Sequence, residues 1–188
     1  DLSRLKPEII TFVEVSDINS SKLPKLREQY QSYLHCAHPV YGIAVMSVLP
    51  PGPAEPKCVP KINGVAAAAL SVEGPDGPSW LIAVHIHWPW PFSQDLSLTA
   101  VSDLIASLEG PKIVTGDFNA MPWSHAVKST AELSGTINIG PHRATYNQFG
   151  IPLPLDHILA GSGSVTILDP HVSDHNALFA KVSFAPPK

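Results

Sequence analysis

The sequence is poor in cysteine, poor in charge and free of long apolar runs. Cys36 and Cys58 are the only two cysteines in 188 residues. Without a CxxC pair, a thiolate zinc site or a thioredoxin-like centre is excluded. The two flank one strand-like segment, and a disulfide in an oxidising compartment and a pair of buried free thiols both fit. Charged residues make up only 15% of the chain and the formal net charge is −4, so no strong basic patch for coating nucleic acid is present. No apolar stretch approaches the roughly 20 residues of a membrane-spanning helix. No signal peptide, internal repeat or low-complexity segment is visible.

What the chain does have is length for one substantial core, a hydrophobic fraction of 44% and 20 prolines. One domain over 1–188 follows, with long proline-punctuated loops. It opens at Asp1 inside what reads as the tail of a helix closed by Pro7, so an upstream portion is expected. Apolar runs rich in β-formers predict strands over 8–15, 34–38, 41–49, 65–72, 80–87, 112–115, 155–161, 165–168 and 177–184. Residues 23–33 read as a helix with Ser20 and Ser21 as N-cap candidates and Pro24 in its first turn. Leu96, Leu98, Val101, Leu104, Ile105 and Leu108 form a helical stripe stopped by Gly110-Pro111, and 122–133 reads as another helix. Residues 50–60 read as a proline-rich loop without chemistry, 134–141 as loop or weak strand, and the stretch around Pro152 and Pro154 as loop.

The chemistry concentrates at strand ends. Asp117 and Asn119 leave the buried strand Lys-Ile-Val-Thr two apart, so in extended backbone both side chains point the same way. A hard oxygen beside an amide suits a magnesium-type cation next to a phosphate; an ordinary Asx turn uses the same residues. Glu14 sits near the end of an apolar strand, where an ionised carboxylate is costly unless it is paired, holds a metal or reaches water. His85 and His87 share one face of a strand. Pro89 and Trp90 stand where an HxHxDH zinc signature needs Asp and His, which rejects that reading. Trp88, Trp90 and Phe92 either wall a cleft or pack the proline-rich loop. Two Asp-His pairs, Asp156-His157 and Asp174-His175, mark the margins of later strands. Trp123 and His125 either face the site or serve as scaffold for the helix they begin, scaffold being the default.

Taken in order, Val-Glu-Val around Glu14, Gly-Ile-Ala-Val-Met-Ser from Gly42, His85 after an apolar strand, Gly-Asp-Phe-Asn-Ala from Gly116, Leu-Asp-His-Ile from Leu155 and Ser-Asp-His from Ser173 resemble the endonuclease/exonuclease/phosphatase superfamily. The match runs over about residues 5–184, and the two motifs Gly-Asp-Phe-Asn-Ala and Ser-Asp-His are specific in combination. The resemblance implies an α+β fold, a four-layer α/β/β/α sandwich of two packed, mostly antiparallel sheets flanked by helices. It also implies that the first strand, which carries a metal- and phosphate-binding Asn, lies upstream of this chain. It implies hydrolysis of phosphate esters, most of all phosphodiesters, by a nuclease or phosphodiesterase dependent on Mg²⁺ or Mn²⁺. In that reading Glu14 and Asp174 hold the metal and His175 is the base that activates water. Asp156 orients His175, Asp117 serves as acid or leaving-group stabiliser, and Asn119 and His85 bind phosphate. Residues 151–158 look most like bacterial members whose catalytic domain follows membrane helices, which implies an extracytoplasmic, monomeric domain. Nucleic acid, phospholipid head group and sugar phosphate all remain open as substrates. The competing reading is a non-catalytic module on the same scaffold that binds a phosphate ligand or a protein.

Overall fold

The computed structural model describes residues 2–16, 23–148, 150–169 and 173–185. Its first elements in chain order are α1 Leu2–Leu5, β1 Ile9–Val15, α2 Leu23–Arg27, β2 Ser32–Cys36, β3 Gly42–Ser47, β4 Lys57–Lys61, β5 Gly64–Gly74 and β6 Gly77–His85. There follow α3 Gln94–Ala106, β7 Lys112–Asp117, α4 His125–Ser134 and β8 Ile137–Gly140. The last are β9 Tyr146–Gln148, β10 Ile151–Leu153, β11 Asp156–Ala160, β12 Ser162–Leu168 and β13 Ala177–Ser183.

A six-stranded sheet in the order β4-β5-β6-β7-β11-β8 packs against a three-stranded sheet in the order β1-β3-β2. Every pairing in these two sheets is antiparallel except β6 with β7, which α3 connects. Strands buried on both faces read as unbroken apolar runs, and β5 and β6 do: each has at most two residues short of full burial at its outer end. Val45, Leu70, Val72, Leu81 and Ile113 fill the space between the sheets. On the outer face of the large sheet, Ile82, Val84, Val114 and Phe118 meet Val101, Leu104 and Ile105 of α3 and Val127 of α4. On the outer face of the small sheet, Ala44 and Met46 meet Leu23 and Leu26 of α2. Four layers result, the α/β/β/α sandwich expected. Burying a side chain the size of these is worth ~1.5–3 kcal/mol each. Cys36 and Cys58 are bonded, tying β2 of the small sheet to the edge strand β4 of the large one. No helix among the described residues is long and apolar enough to cross a membrane.

Several local expectations give way to tertiary context. The helix expected over 23–33 stops at Arg27, and Ser32 and Tyr33 belong to β2, because Ser32–Cys36 pairs residue for residue with β3. Ser20 and Ser21 lie outside the described residues. The segment read as a loop over 50–60 ends in β4, and Pro60 is accommodated there because β4 is an edge strand with an unpaired side. Residues 137–140 form β8 against β11, and the loop around Pro152 contains a hairpin of β9 and β10. The α3 stripe is buried as expected except at Leu96, which stays exposed in the first turn.

Candidate active site

Three site residues are brought together by register alone. Asp117 is the last residue of β7; across the parallel pairing it faces His85, the last of β6, and across the antiparallel pairing it faces Asp156, the first of β11. Side chains in register on adjacent strands share a face. The sheet therefore ends in a row His85, Asp117, Asp156. Gly116 lets β7 approach β6 this closely: its φ is +140°, and a Cβ there would collide with the Val84 carbonyl.

Glu14 arrives from the other sheet. It is the extra residue between Val13, paired with Ile43, and Val15, paired with Gly42, so it sits on a β-bulge, and its φ is +58°. A non-glycine residue in that region costs on the order of 1 kcal/mol, and a bulge re-aims the side chain it carries. The result is a carboxylate turned toward the row, with Oε1 3.3 Å from His85 Nε2. Gly42 makes the room, since a Cβ there would lie 2.7 Å from the Val15 carbonyl oxygen.

His175 joins the end of this row through Asp156. Its Nδ1 donates to Asp156 Oδ2 at 2.7 Å, its backbone N–H donates to Ser173 Oγ at 3.1 Å, and the Tyr146 ring lies 4.8 Å away. Burial by itself would lower the imidazole, but the Asp156 hydrogen bond and the charges of Asp156, Asp117 and Asp174 raise it to about 9. Glu14 is raised above the usual carboxylate range by burial, with Asp174 and Asp156 adding to the rise and His175 and Lys61 opposing it. Glu14 and His175, far apart in sequence, thus feel each other's charge. Asp174, next to His175 in the chain, is exposed.

His85 is almost fully buried. Glu14 and Asp117, the latter with Oδ2 3.9 Å from Nε2, favour an imidazolium. Burial outweighs them, with Lys61, His87 and His175 acting in the same direction, and lowers the group to about 3. Its Nδ1 is buried without a hydrogen-bond partner. A neutral ring with its proton on Nε2, directed at Glu14, satisfies both facts. Asp117 is raised to about 8 by burial and by Asp156, against His175 and the Asn119 N–H.

Asn119, with φ +46°, folds back on Asp117: its backbone N–H donates to Asp117 Oδ1 at 2.8 Å and its amide to Oδ2 at 3.0 Å. The other amide hydrogen goes to the Ile86 carbonyl at 2.9 Å. Both amide donors are therefore held inside the protein, and the side-chain carbonyl is the part left over. The first Asp-His pair divides: Asp156 faces His175, whereas His157 is fully buried on the other face, held by the Ala120 carbonyl at 2.8 Å and against Phe118. Trp90, Phe92 and Trp123 are exposed.

Three contributors carry no motif. Thr145, buried, accepts the N–H groups of Leu155 and Asp156 at 3.1 Å each, while its carbonyl takes the Asn176 N–H at 2.6 Å. It thereby joins the Asp156 strand to the His175 loop. Tyr146 covers His175. Lys61 donates to the His85 carbonyl at 2.7 Å from a strand that had looked like loop. Only the preference of Thr for turn and strand margins hints at the first.

Among the described residues, no group of three or more His, Cys, Asp or Glu forms a ready metal cage. The donor set nevertheless fits Mg²⁺ or Mn²⁺. Hard cations of this kind bind through one or two carboxylates and keep waters or substrate phosphate for the remaining positions. Burial raises Glu14, and the charge of Asp174 adds to that rise.

Comparison with known proteins places this arrangement. A model of the endonuclease/exonuclease/phosphatase family matches residues 2–175. The chain superposes on an endonuclease/exonuclease/phosphatase family protein from Leptotrichia buccalis with a TM-score of 0.72 at 14% identity, covering 97% of this chain and 89% of that one. The 3′ phosphatase NExo from Neisseria, bound to a product DNA hairpin, gives 0.72 at 16% identity, covering 97% and 91%. TDP2 from D. rerio with single-strand DNA product gives 0.71 at 15%, covering 95% and 87%. No match is found among curated protein sequences. With its motifs in order and a family match over nearly its whole length, the chain belongs to the endonuclease/exonuclease/phosphatase family, a family of phosphoester hydrolases.

Proposed function

We propose that this chain hydrolyses phosphodiesters with water, as a nuclease or related phosphodiesterase dependent on Mg²⁺ or Mn²⁺. The observation that carries the reading is the His175–Asp156 pair at 2.7 Å, standing beside Asp117 and within the field of Glu14. With Nδ1–H given to Asp156, the lone pair of His175 Nε2 is free to take a proton from water. Asp156 holds that tautomer and stabilises the imidazolium that forms. Glu14 and Asp174 would hold the divalent cation, which supplies polarisation of a phosphoryl oxygen. A cation there would offset the charge of Asp174, the last of the groups that raise His175, while Asp156 remains its main partner.

Asp117 carries its proton to unusually high pH and is placed to give it to the leaving oxygen. Asn119 fixes both Asp117 oxygens, so its part is to aim that acid; with both amide hydrogens given to Asp117 and Ile86, it has no side-chain donor left for a phosphate oxygen. His85, neutral, would offer its Nε2 proton, which is directed at Glu14 in the structure, to a phosphoryl oxygen on which charge develops. Nucleic acid stands first among substrates, because two similar structures contain DNA product. The Cys36–Cys58 disulfide supports an extracytoplasmic domain, since such bonds persist in oxidising compartments.

The test is turnover on a panel of phosphodiesters and phosphomonoesters with Mg²⁺, Mn²⁺ or EDTA, comparing parent with His175→Ala. Loss of the base is expected to lower kcat by about 10²–10⁴-fold, and EDTA to abolish turnover. Unchanged activity in His175→Ala removes His175 as base. A parent that turns over nothing yet is stabilised by phosphate ligands supports the binding-module reading instead.

A further inference from the structure

One basic side chain reaches the row of site residues from a strand that contributes nothing else to it. Lys61 is the last residue of β4, at the edge of the large sheet, two strands away from His85. Its ammonium donates to the His85 backbone carbonyl at 2.7 Å. To arrive there its stem must cross the start of β5 at Gly64, its register partner. A Cβ at Gly64 would lie 3.1 Å from Lys61 Cε and 2.9 Å from Tyr41 Cβ. Gly64 is therefore bare for space, and Tyr41 and Lys61 share the gap. Both continue to His85. The Tyr41 ring packs edge-on against the imidazole with centroids 5.7 Å apart, and Lys61 holds the backbone.

An ammonium taken out of water is costly unless it is hydrogen-bonded, and an apolar side chain would cover the same surface more cheaply. The charge is thus kept for its contact. Burial pulls Lys61 down to about 8 while Asp117 and Glu14 pull it back up, so it also sits within the field of the acids. Cys58, three residues earlier and bonded to Cys36, fixes the strand from which Lys61 projects.

The geometry points to Lys61 as a positioning residue for His85: its bond to the His85 carbonyl, made across the gap at Gly64, fixes the end of β6 so that the imidazole Nε2 stays on Glu14 and Asp117. The kinetic consequence rests on the reading of the site as a phosphodiesterase; the positional one does not. The experiment therefore has two arms. In the metal-free protein, the His85 imidazole resonances, assigned through His85→Gln, are followed in Lys61→Met, Lys61→Arg and Lys57→Met. Lys57 is exposed on the same strand and serves as control. The His85 signals are expected to move in Lys61→Met, to return toward their parent positions in Lys61→Arg, and to stay in place in Lys57→Met. Should Lys61→Met fail to fold, Lys61→Gln carries the same expectation.

In turnover with Mg²⁺, misplacement of His85 is expected to lower kcat about 10- to 100-fold, with KM changed by less than about twofold and partial recovery in Lys61→Arg. A rise in KM at constant kcat would show that Lys61 contacts the ground-state substrate and would overturn the positioning role. So would His85 signals unmoved in Lys61→Met. Parent protein without turnover sinks the phosphodiesterase reading alone, and the resonance arm still decides the role of Lys61.

Discussion

Replacing Asp156 by Asn tests the heart of the site through folding, without any substrate. In the folded chain His175 is raised from 6.5 to about 9, with the hydrogen bond to Asp156 foremost among the effects that overcome burial. At 1.36 kcal/mol per pH unit, that rise corresponds to at most ~3 kcal/mol. The His175 side chain keeps 23% of its exposure, and solvent screening brings the figure to ~1–2 kcal/mol. The folded state holds the proton more tightly than the unfolded one. The contribution is therefore fully present below pH 6.5 and is lost as the pH rises through 9. Asp117, raised from 3.8 to about 8 by burial and by Asp156, has the same sign: the folded chain again keeps a proton that the unfolded chain has given up. Asp156→Asn removes the partner of the first group and the like charge beside the second. Parent and variant, unfolded by urea in EDTA and followed by tryptophan fluorescence, should differ by ~1–2 kcal/mol at pH 6, and the gap should shrink toward zero by pH 10. No free cysteine is present among the described residues to scramble the disulfide at the higher pH. A gap that stays constant or widens from pH 6 to pH 10 would refute the argument, for it would mean that Asp156 acts through packing alone.

His85 has the opposite sign. Burial lowers it to about 3, so its contribution is present above pH 6.5 and is lost as the pH falls from 6.5 toward 3. The Tm of the parent should therefore drop more steeply over pH 6.5–4 than that of His85→Asn; parallel curves would contradict the neutral buried ring. Gly116→Ala puts a Cβ into the Val84 carbonyl at a φ of +140° and is expected to cost ~3 kcal/mol or more in denaturant unfolding, whereas a loss below ~1 kcal/mol would show that β7 can move away from β6 freely. Removing the disulfide as Cys36→Ser with Cys58→Ser opens a loop closed over a sequence separation of 22, and guanidinium unfolding should show ~3 kcal/mol of stability gone.

The strand motifs were legible because each carries its chemistry in a local pattern. Asp117 ends an apolar run and follows a glycine; Asp156 opens one; Glu14 interrupts one. What the sequence could not convey is the pairing that sets them side by side. The register His85 to Asp117 to Asp156 joins strands from three separate stretches of chain, and no periodicity encodes it. The same holds for β4. Its Pro60 and two lysines resemble loop when read alone, and only the neighbouring run of buried alanines in β5 makes it a strand. The misplaced end of the 23–33 helix has that origin too, since Ser32 and Tyr33 have ordinary propensities and pairing with β3 decides their state.

Local rules also break where the site is built. Glu14 and Asn119 both adopt positive φ, although neither is glycine. Each departure has a result that can be measured in hydrogen bonds: the Glu14 bulge brings a carboxylate from the small sheet onto His85, and the turned Asn119 spends three N–H donors on Asp117 and Ile86. A chain selected only for stability would relax both, because a regular β1 and an ordinary turn after β7 would each recover on the order of 1 kcal/mol. Strain at an acid and an amide position, together with a buried imidazole whose Nδ1 lacks a partner, supports the proposed phosphoester-hydrolase site. A binding module needs the donors, but a histidine held by a carboxylate at 2.7 Å goes beyond that need. One imidazole is lowered by burial and the other is raised by its acids, and that asymmetry is what turnover in His175→Ala probes.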